Sequence, residues 1–393
     1  MVFDRSIHRS RHLCIDSGSS CFRRKTKGAH RMISGKRIKL KCCLVLGIFT
    51  AVAGCSPFVE NNEIEEISPV TFWYMKEGKK GKISMSTVVP PMGLEKKRLF
   101  STEVDMIKQA GKRFNLNYYN ELKNGQLRMV MIEENLADKG ILPIINTLLS
   151  DPKIGPRLYL IVVKGDFDKY IMSELKQSEN FDFYLYQTLR HFERANQGEM
   201  SIVNLHQFKN QLYTHFSDPY VPVFRTDGNQ FTYEGTGLFR NDKFVKVLTG
   251  IDDQIFQLIN NNRFLKFLTI PNLSIVIGQA RSTVTFDLNQ NNTALSMKVS
   301  LNAGIEEYTG DKNLQDQSEF NALVHDVESE LEKKTADMIK DMQNIRVDPL
   351  EVGGEALFPF TKPMSDKAWL KRWENMDVKV DYQLNLRPVV NTQ

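Results

Sequence analysis

Apolar and polar residues alternate most regularly in the last third of the chain. Val284, Phe286 and Leu288 are interleaved with Thr283, Thr285 and Asp287, and Leu295, Met297, Val299 and Leu301 with Ser296, Lys298 and Ser300. Near the end, Val378, Val380, Tyr382, Leu384 and Leu386 alternate with Lys379, Asp381, Gln383, Asn385 and Arg387. A period of two predicts strands with one wet face, the kind found in antiparallel sheets. Between them, residues 315–346 hold neither Pro nor Gly. Phe320, Leu323, Val324, Val327, Leu331, Met338, Met342 and Ile345 recur there mostly at steps of three and four. That spacing predicts one long amphipathic helix packed on the sheet.

Upstream the periods are shorter and mixed. Residues 70–75 and 83–89 predict a hairpin around Glu77-Gly78-Lys79-Lys80-Gly81, ended by Pro90-Pro91. Residues 127–132 predict a half-buried strand. A helix follows with Ile141, Ile144, Ile145, Leu148 and Leu149 on one face, and Asp151-Pro152 stops it. The unbroken apolar run 158–163 predicts a strand covered on both faces. Helices are expected over 181–195, 205–216 and 252–260, and a hairpin turns at Asn241-Asp242. The chain therefore reads as α+β, with three mixed domains and mostly antiparallel sheets. The expected domains are N-terminal at 69–175, middle at 176–271 and C-terminal at 272–393.

Charge separates a leader from this body. Residues 1–54 carry 12 Lys and Arg against Asp4 and Asp16, a net of +10, while the remainder carries −5. A mildly acidic body has no broad attraction for nucleic acid. Lys36-Arg37-Ile38-Lys39-Leu40-Lys41 and the 12-residue apolar run 42–53 have the layout of a signal peptide. A spanning helix needs about 20 residues, so a permanent transmembrane segment is the weaker reading. Met32 would start a leader of 23 residues, which makes residues 1–31 superfluous to export. Val52-Ala53-Gly54-Cys55 resembles a bacterial lipobox. That resemblance implies an S-diacylglycerol on Cys55, cleavage before it, and N-acylation by palmitate or a similar chain. Residues 55–68 then form a lipidated, acidic tether.

The body holds little that suggests catalysis. All five cysteines (Cys14, Cys21, Cys42, Cys43 and Cys55) lie at or before position 55, so the body has no disulfide, thiolate metal site or cysteine nucleophile. His191, His206, His215 and His325 lack the spacing of metal ligands and read as surface or capping residues. Gly235-Thr236-Gly237 reads as a turn or bulge, not a phosphate loop. Glu306 and Glu307 are expected on opposite faces of a strand. Trp369 and Trp373 lie on one side of a short helix and read as core anchors. No metal, cofactor or catalytic residue is expected beyond the covalent lipid.

Several ordered stretches resemble the C-subunit lipoproteins of spore germinant receptors, the GerAC-like family. They are the lipobox followed by Asn62-Glu63-Ile64-Glu65-Glu66-Ile67; residues 127–132; Leu136-Ala137-Asp138-Lys139-Gly140-Ile141; 148–154; and Val162-Val163-Lys164-Gly165. Further along come 237–245, Asp348-Pro349-Leu350-Glu351-Val352-Gly353, and Trp369 with Trp373. Ser56-Pro57 replaces the family's Trp-Asp, and Ser150 its Arg. The resemblance implies a non-catalytic subunit on the outer face of the spore inner membrane. It would be held to the bilayer through Cys55 and partnered by two integral membrane subunits of A and B type. The alternative is a lipoprotein that captures a small solute for a transporter.

Overall fold

A computed structural model describes residues 67–388, except 90–96, 119, 178–180, 196–197, 229, 262–263 and 358–363. Cys55 and the rest of the leader and tether up to residue 66 lie outside the described residues.

β1 (Ile67–Pro69) pairs with β5 (Glu121–Lys123) in a small parallel ladder separate from the two larger sheets. β2 (Phe72–Glu77) and β3 (Ile83–Val89) form the expected hairpin, and β4 (Arg98–Val104) extends it. After helix α1 (Ile107–Asn117) comes β6 (Met129–Glu133), parallel to β2. Helices α2 (Glu134–Lys139) and α3 (Leu142–Leu149) lead to β7 (Tyr159–Lys164), parallel to β6. Three helices follow: α4 (Phe167–Gln177), α5 (Phe181–Ala195) and α6 (Leu205–Tyr213). They lead to β8 (Tyr220–Asp227), parallel to β7, and then to the antiparallel β9 (Gln230–Arg240) and β10 (Lys243–Leu248). The order across this eight-stranded sheet is β10-β9-β8-β7-β6-β2-β3-β4.

Its central strands are buried on both faces. In β2, β6 and β7, four or five consecutive residues are buried, and side-chain alternation sorts them into two cores. Trp73, Met75, Val130, Ile132 and Val162 face α1, α3 and α6 through Phe114, Ile145, Leu148 and Phe208. Phe72, Tyr74, Met131, Ile161 and Val163 face α4 and α5 through Phe167, Ile171 and Leu189. α6 starts with a capping box, in which Asn204 and Gln207 each accept from the other's backbone N–H at 2.9 Å.

Helix α7 (Gly250–Phe256), prolonged by one π turn over Gln257–Asn261, leads to the second sheet. There β11 (Phe264–Ile270), β12 (Ile275–Leu288) and β13 (Ala294–Tyr308) are antiparallel neighbours, as the alternation predicts for β12 and β13. Helix α8 (Gln317–Asn344) and the short α9 (Asp366–Trp373) precede β14 (Asp377–Arg387). β14 joins parallel to β13, not antiparallel, because a long helix is a crossover and returns the chain to the same end of the sheet. α8 covers the sheet with Leu323, Val327, Leu331, Met338, Ile339 and Met342. Asp316 caps its first turn, accepting from Ser318 N and Glu319 N. Glu332 and Glu328, one turn apart on α8, accept from Tyr382 N at 3.0 Å and Leu384 N at 2.8 Å. Two backbone donors of an edge strand are thereby satisfied from within.

The fold is mixed α+β, with antiparallel ladders outnumbering parallel ones. The described residues belong to one compact unit, 62–393. Residue 175, the expected end of the N-terminal domain, lies in α4, and the strands on either side of it, β7 and β8, are hydrogen-bonded in one sheet. Residue 271 lies in the turn between β11 and β12, which are also neighbours. The chain passes from one sheet to the other between 248 and 264.

Candidate functional site

Cys55 and its neighbours Val52, Ala53 and Gly54 fall outside the described residues. The other sequence candidates are placed. His191, His206, His215 and His325 are exposed; His215 Nδ1 lies 3.1 Å from Asp366 Oδ1 and His206 Nδ1 3.3 Å from Asn210 Nδ2. Among the described residues no group of three His, Cys, Asp or Glu could hold a metal ion. Glu306 and Glu307 are both exposed, because a bulge opposite Val276 and Ile277 interrupts the pleat that would have sent them to opposite faces.

Trp369 and Trp373 are wholly buried and stacked at 6.1 Å, as core anchors should be. Each also donates a hydrogen bond. Trp373 Nε1 reaches the Val347 carbonyl at 2.7 Å, and Trp369 Nε1 reaches Asp348 Oδ2 at 3.0 Å. Asp348 is the centre of a clasp. Its carboxylate also accepts from Val352 N at 3.1 Å and Gly353 N at 2.8 Å. Its own N–H donates to Asp218 Oδ2 at 2.8 Å, and its carbonyl accepts from Asp218 N at 3.2 Å. Asp218 Oδ1 then takes Asn241 N at 3.0 Å. The segment after α8 is thus tied to the loop before β8 and to the β9–β10 turn.

The clasp holds backbone that would not adopt this shape alone. Phe216, Asn241, Arg346 and Glu351 all have φ between 55° and 61°, a region that costs non-glycine residues roughly 1 kcal/mol or more each. Gly353 leaves no room for a side chain, since a Cβ there would meet Phe216 Cβ at 2.3 Å and the Trp369 ring at 2.7 Å. Burial raises the Asp348 pKa to about 7 against the three donors, and the neighbouring Asp218 carboxylate adds to the rise.

A second buried cluster explains Gly235-Thr236-Gly237. Asp253 of α7 accepts from Thr236 Oγ1 at 2.5 Å and from Tyr233 Oη at 3.0 Å. Gln257, in the π turn, donates to Ser201 Oγ at 2.5 Å. Gly235, at φ +153°, allows the Leu248 carbonyl to approach where a Cβ would stand 1.8 Å from it, and a Cβ on Gly237 would strike the Phe244 ring. The two glycines let β10 close on β9 and deliver the Thr236 hydroxyl to Asp253. Burial raises the Asp253 pKa to about 6. Both clusters use their acceptors to bind neighbouring segments together.

The Asp348 segment has the spacing of the family signature, and comparison with known proteins agrees. Residues 60–226 match the spore germination protein N-terminal domain, and residues 234–389 match the spore germination B3/GerAC-like C-terminal domain. The chain belongs to this GerAC-like family of germinant receptor C subunits. It is similar to the spore germination protein GerQC of Bacillus cereus, 24% identical over 320 residues, which cover 78% of this chain and 86% of that one. It is also similar to the putative spore germination protein YfkR of Bacillus subtilis strain 168, 20% identical, with coverage of 88% and 95%. Among solved structures it resembles that of the GerBC protein, at 12% identity and a TM-score of 0.48, over 80% of this chain and 96% of the other.

Proposed function

We propose that this chain is a non-catalytic, lipid-anchored subunit of a nutrient germinant receptor. It acts through contacts with two integral membrane subunits on the outer face of the spore inner membrane. The observation that carries the anchor is Val52-Ala53-Gly54-Cys55, placed directly after a basic segment and a 12-residue apolar run. A stable hold on a bilayer takes two signals or two chains, which a diacylglyceryl cysteine supplies. No helix among the described residues is long and apolar enough to cross a membrane. Family membership supports the receptor, and the clasp around Asp348 supports a rigid body suited to contact.

Fractionation of dormant spores and growing cells tests this reading, with blotting for the wild type and Cys55→Ala. The wild type is expected in the spore inner membrane, and the variant is expected to be lost from it. A protein found mainly in growing cells would replace the receptor subunit with the solute-capture reading.

A further inference from the structure

Helix α9 turns its two tryptophans inward, which sends Lys367 and Lys371, one turn apart, and Arg372 into solvent. Lys371 and Arg372 suit the last turn of a helix. Lys367 lies in the first turn, at the positive end of the dipole and four residues from a like charge, so helix stability does not account for it. A hollow of about 610 Å³ separates α9 from the β9–β10 turn, and Arg240 and Arg346 join Lys367 and Lys371 around it. The acids there are occupied: Glu374 holds Arg346 at 2.9 Å, and Asp366 lies 3.1 Å from His215. Arg240, Lys367, Lys371 and Arg372 make no ion pair among the described residues.

The clasp fixes the walls of this hollow. Asp218 accepts from Asn241 N, next to Arg240, and from Asp348 N, and Asp348 accepts from the Trp369 indole of α9. On the other flank of α9 is a second hollow, of about 380 Å³, lined by Lys371, Arg372 and Asn292. Asn292 is 8% exposed, and its amide oxygen has no hydrogen-bond partner among the described residues. A buried acceptor left so is costly until a donor reaches it.

We propose that this face of α9 docks on an anionic phospholipid surface, its cations against the phosphates and Asn292 accepting from a headgroup hydroxyl or ammonium. The proposal rests on the lipid-anchored reading, which keeps a bilayer within reach: the 12 residues from Cys55 to Ile67 span at most about 40 Å when extended. The body after Cys55 carries a net −5, so an anionic surface repels it as a whole and attracts it only where cations cluster. That attraction sets which face the body turns to the membrane.

Co-sedimentation of residues 56–393, which contain the compact unit and lack both the lipid and the basic leader, tests this with vesicles of phosphatidylglycerol and phosphatidylcholine in equal parts. Binding is expected at low salt, with little to pure phosphatidylcholine or in about 0.5 M sodium chloride. Lys367→Ala and Lys371→Ala should each weaken it about fivefold. Asn292→Gly, which suits the φ of 52° there, should weaken it about threefold. Lys169→Ala, on α4 and so on the other face of the eight-stranded sheet from Trp369, should leave it unchanged. No binding to the anionic vesicles would overturn the proposal and give this face to an acidic protein surface instead. Equal binding to pure phosphatidylcholine, or equal affinity across all variants, would overturn it too. None of these outcomes bears on the fractionation test, since the chain used here carries no lipid.

Discussion

Asp348 illustrates how much one buried carboxylate can hold together. Replacing it by Ala leaves the N–H groups of Val352, Gly353 and Trp369 without their acceptor, at a cost of about 3 kcal/mol in unfolding free energy, readable by urea denaturation. Asp253 carries a pH signature. Its folded pKa, about 6, lies above the ordinary value of 3.8. Between those values the folded chain keeps a proton that the unfolded chain has released, so this group's stabilising contribution is complete below pH 4 and is lost as pH rises to 6. The difference in unfolding free energy between wild type and Asp253→Asn should therefore fall by about 2 kcal/mol over that range and then level off. A pH-independent difference would show that Asp253 is ionised throughout. At this scale the sequence was partly legible. Trp369 and Trp373 announce a core by size and spacing. Asp348 sits in a recognisable signature, but its role depends on Asp218, 130 residues away, and no local pattern contains that distance. The one local sign of the Asp253 cluster is the pair of glycines around Thr236.

Among the elements, those with a sustained period were legible and those without were not. α8 and its neighbours β12, β13 and β14 repeat one period over many residues. β8 is not among the predicted strands, and Pro222 within it argues against one. It nevertheless lies in the sheet's interior, since β7 pairs only with Val223, Phe224 and Arg225 and needs no donor from Pro222. The parallel placement of β14 leaves it at an edge, and Glu328 and Glu332 cover two of its outward donors. Replacing both by Ala should uncover that edge and promote self-association through it, visible as a concentration-dependent sedimentation coefficient. A variant that stays monomeric at all concentrations would mean the remaining flank of β14 is protection enough.

Across the whole molecule, strand pairing decides what folds together. The eight-stranded sheet gathers strands from residue 72 to residue 248, and the junction between the two family regions, 226–234, falls in its β8–β9 hairpin. Local pattern could not show this, because the β7–β8 ladder joins residues about 60 apart across three helices. Hydrogen exchange should accordingly report one free energy of opening for β7, β8 and β9. Faster global exchange of β8–β10 than of β2–β7 would divide the sheet into independent units. The parallel pairing of β13 with β14 has a consequence in time. Each residue of that ladder meets a partner 83 positions later, from Ala294 with Asp377 to Gly304 with Arg387. Pairings this far apart are slow to form. During synthesis the first sheet has all its strands once residue 248 has emerged, whereas the second waits for β14, Asp377–Arg387. A ribosome that stalls after α8 but before β14 would therefore hold a nascent chain with one sheet closed and the apolar side of α8 still uncovered.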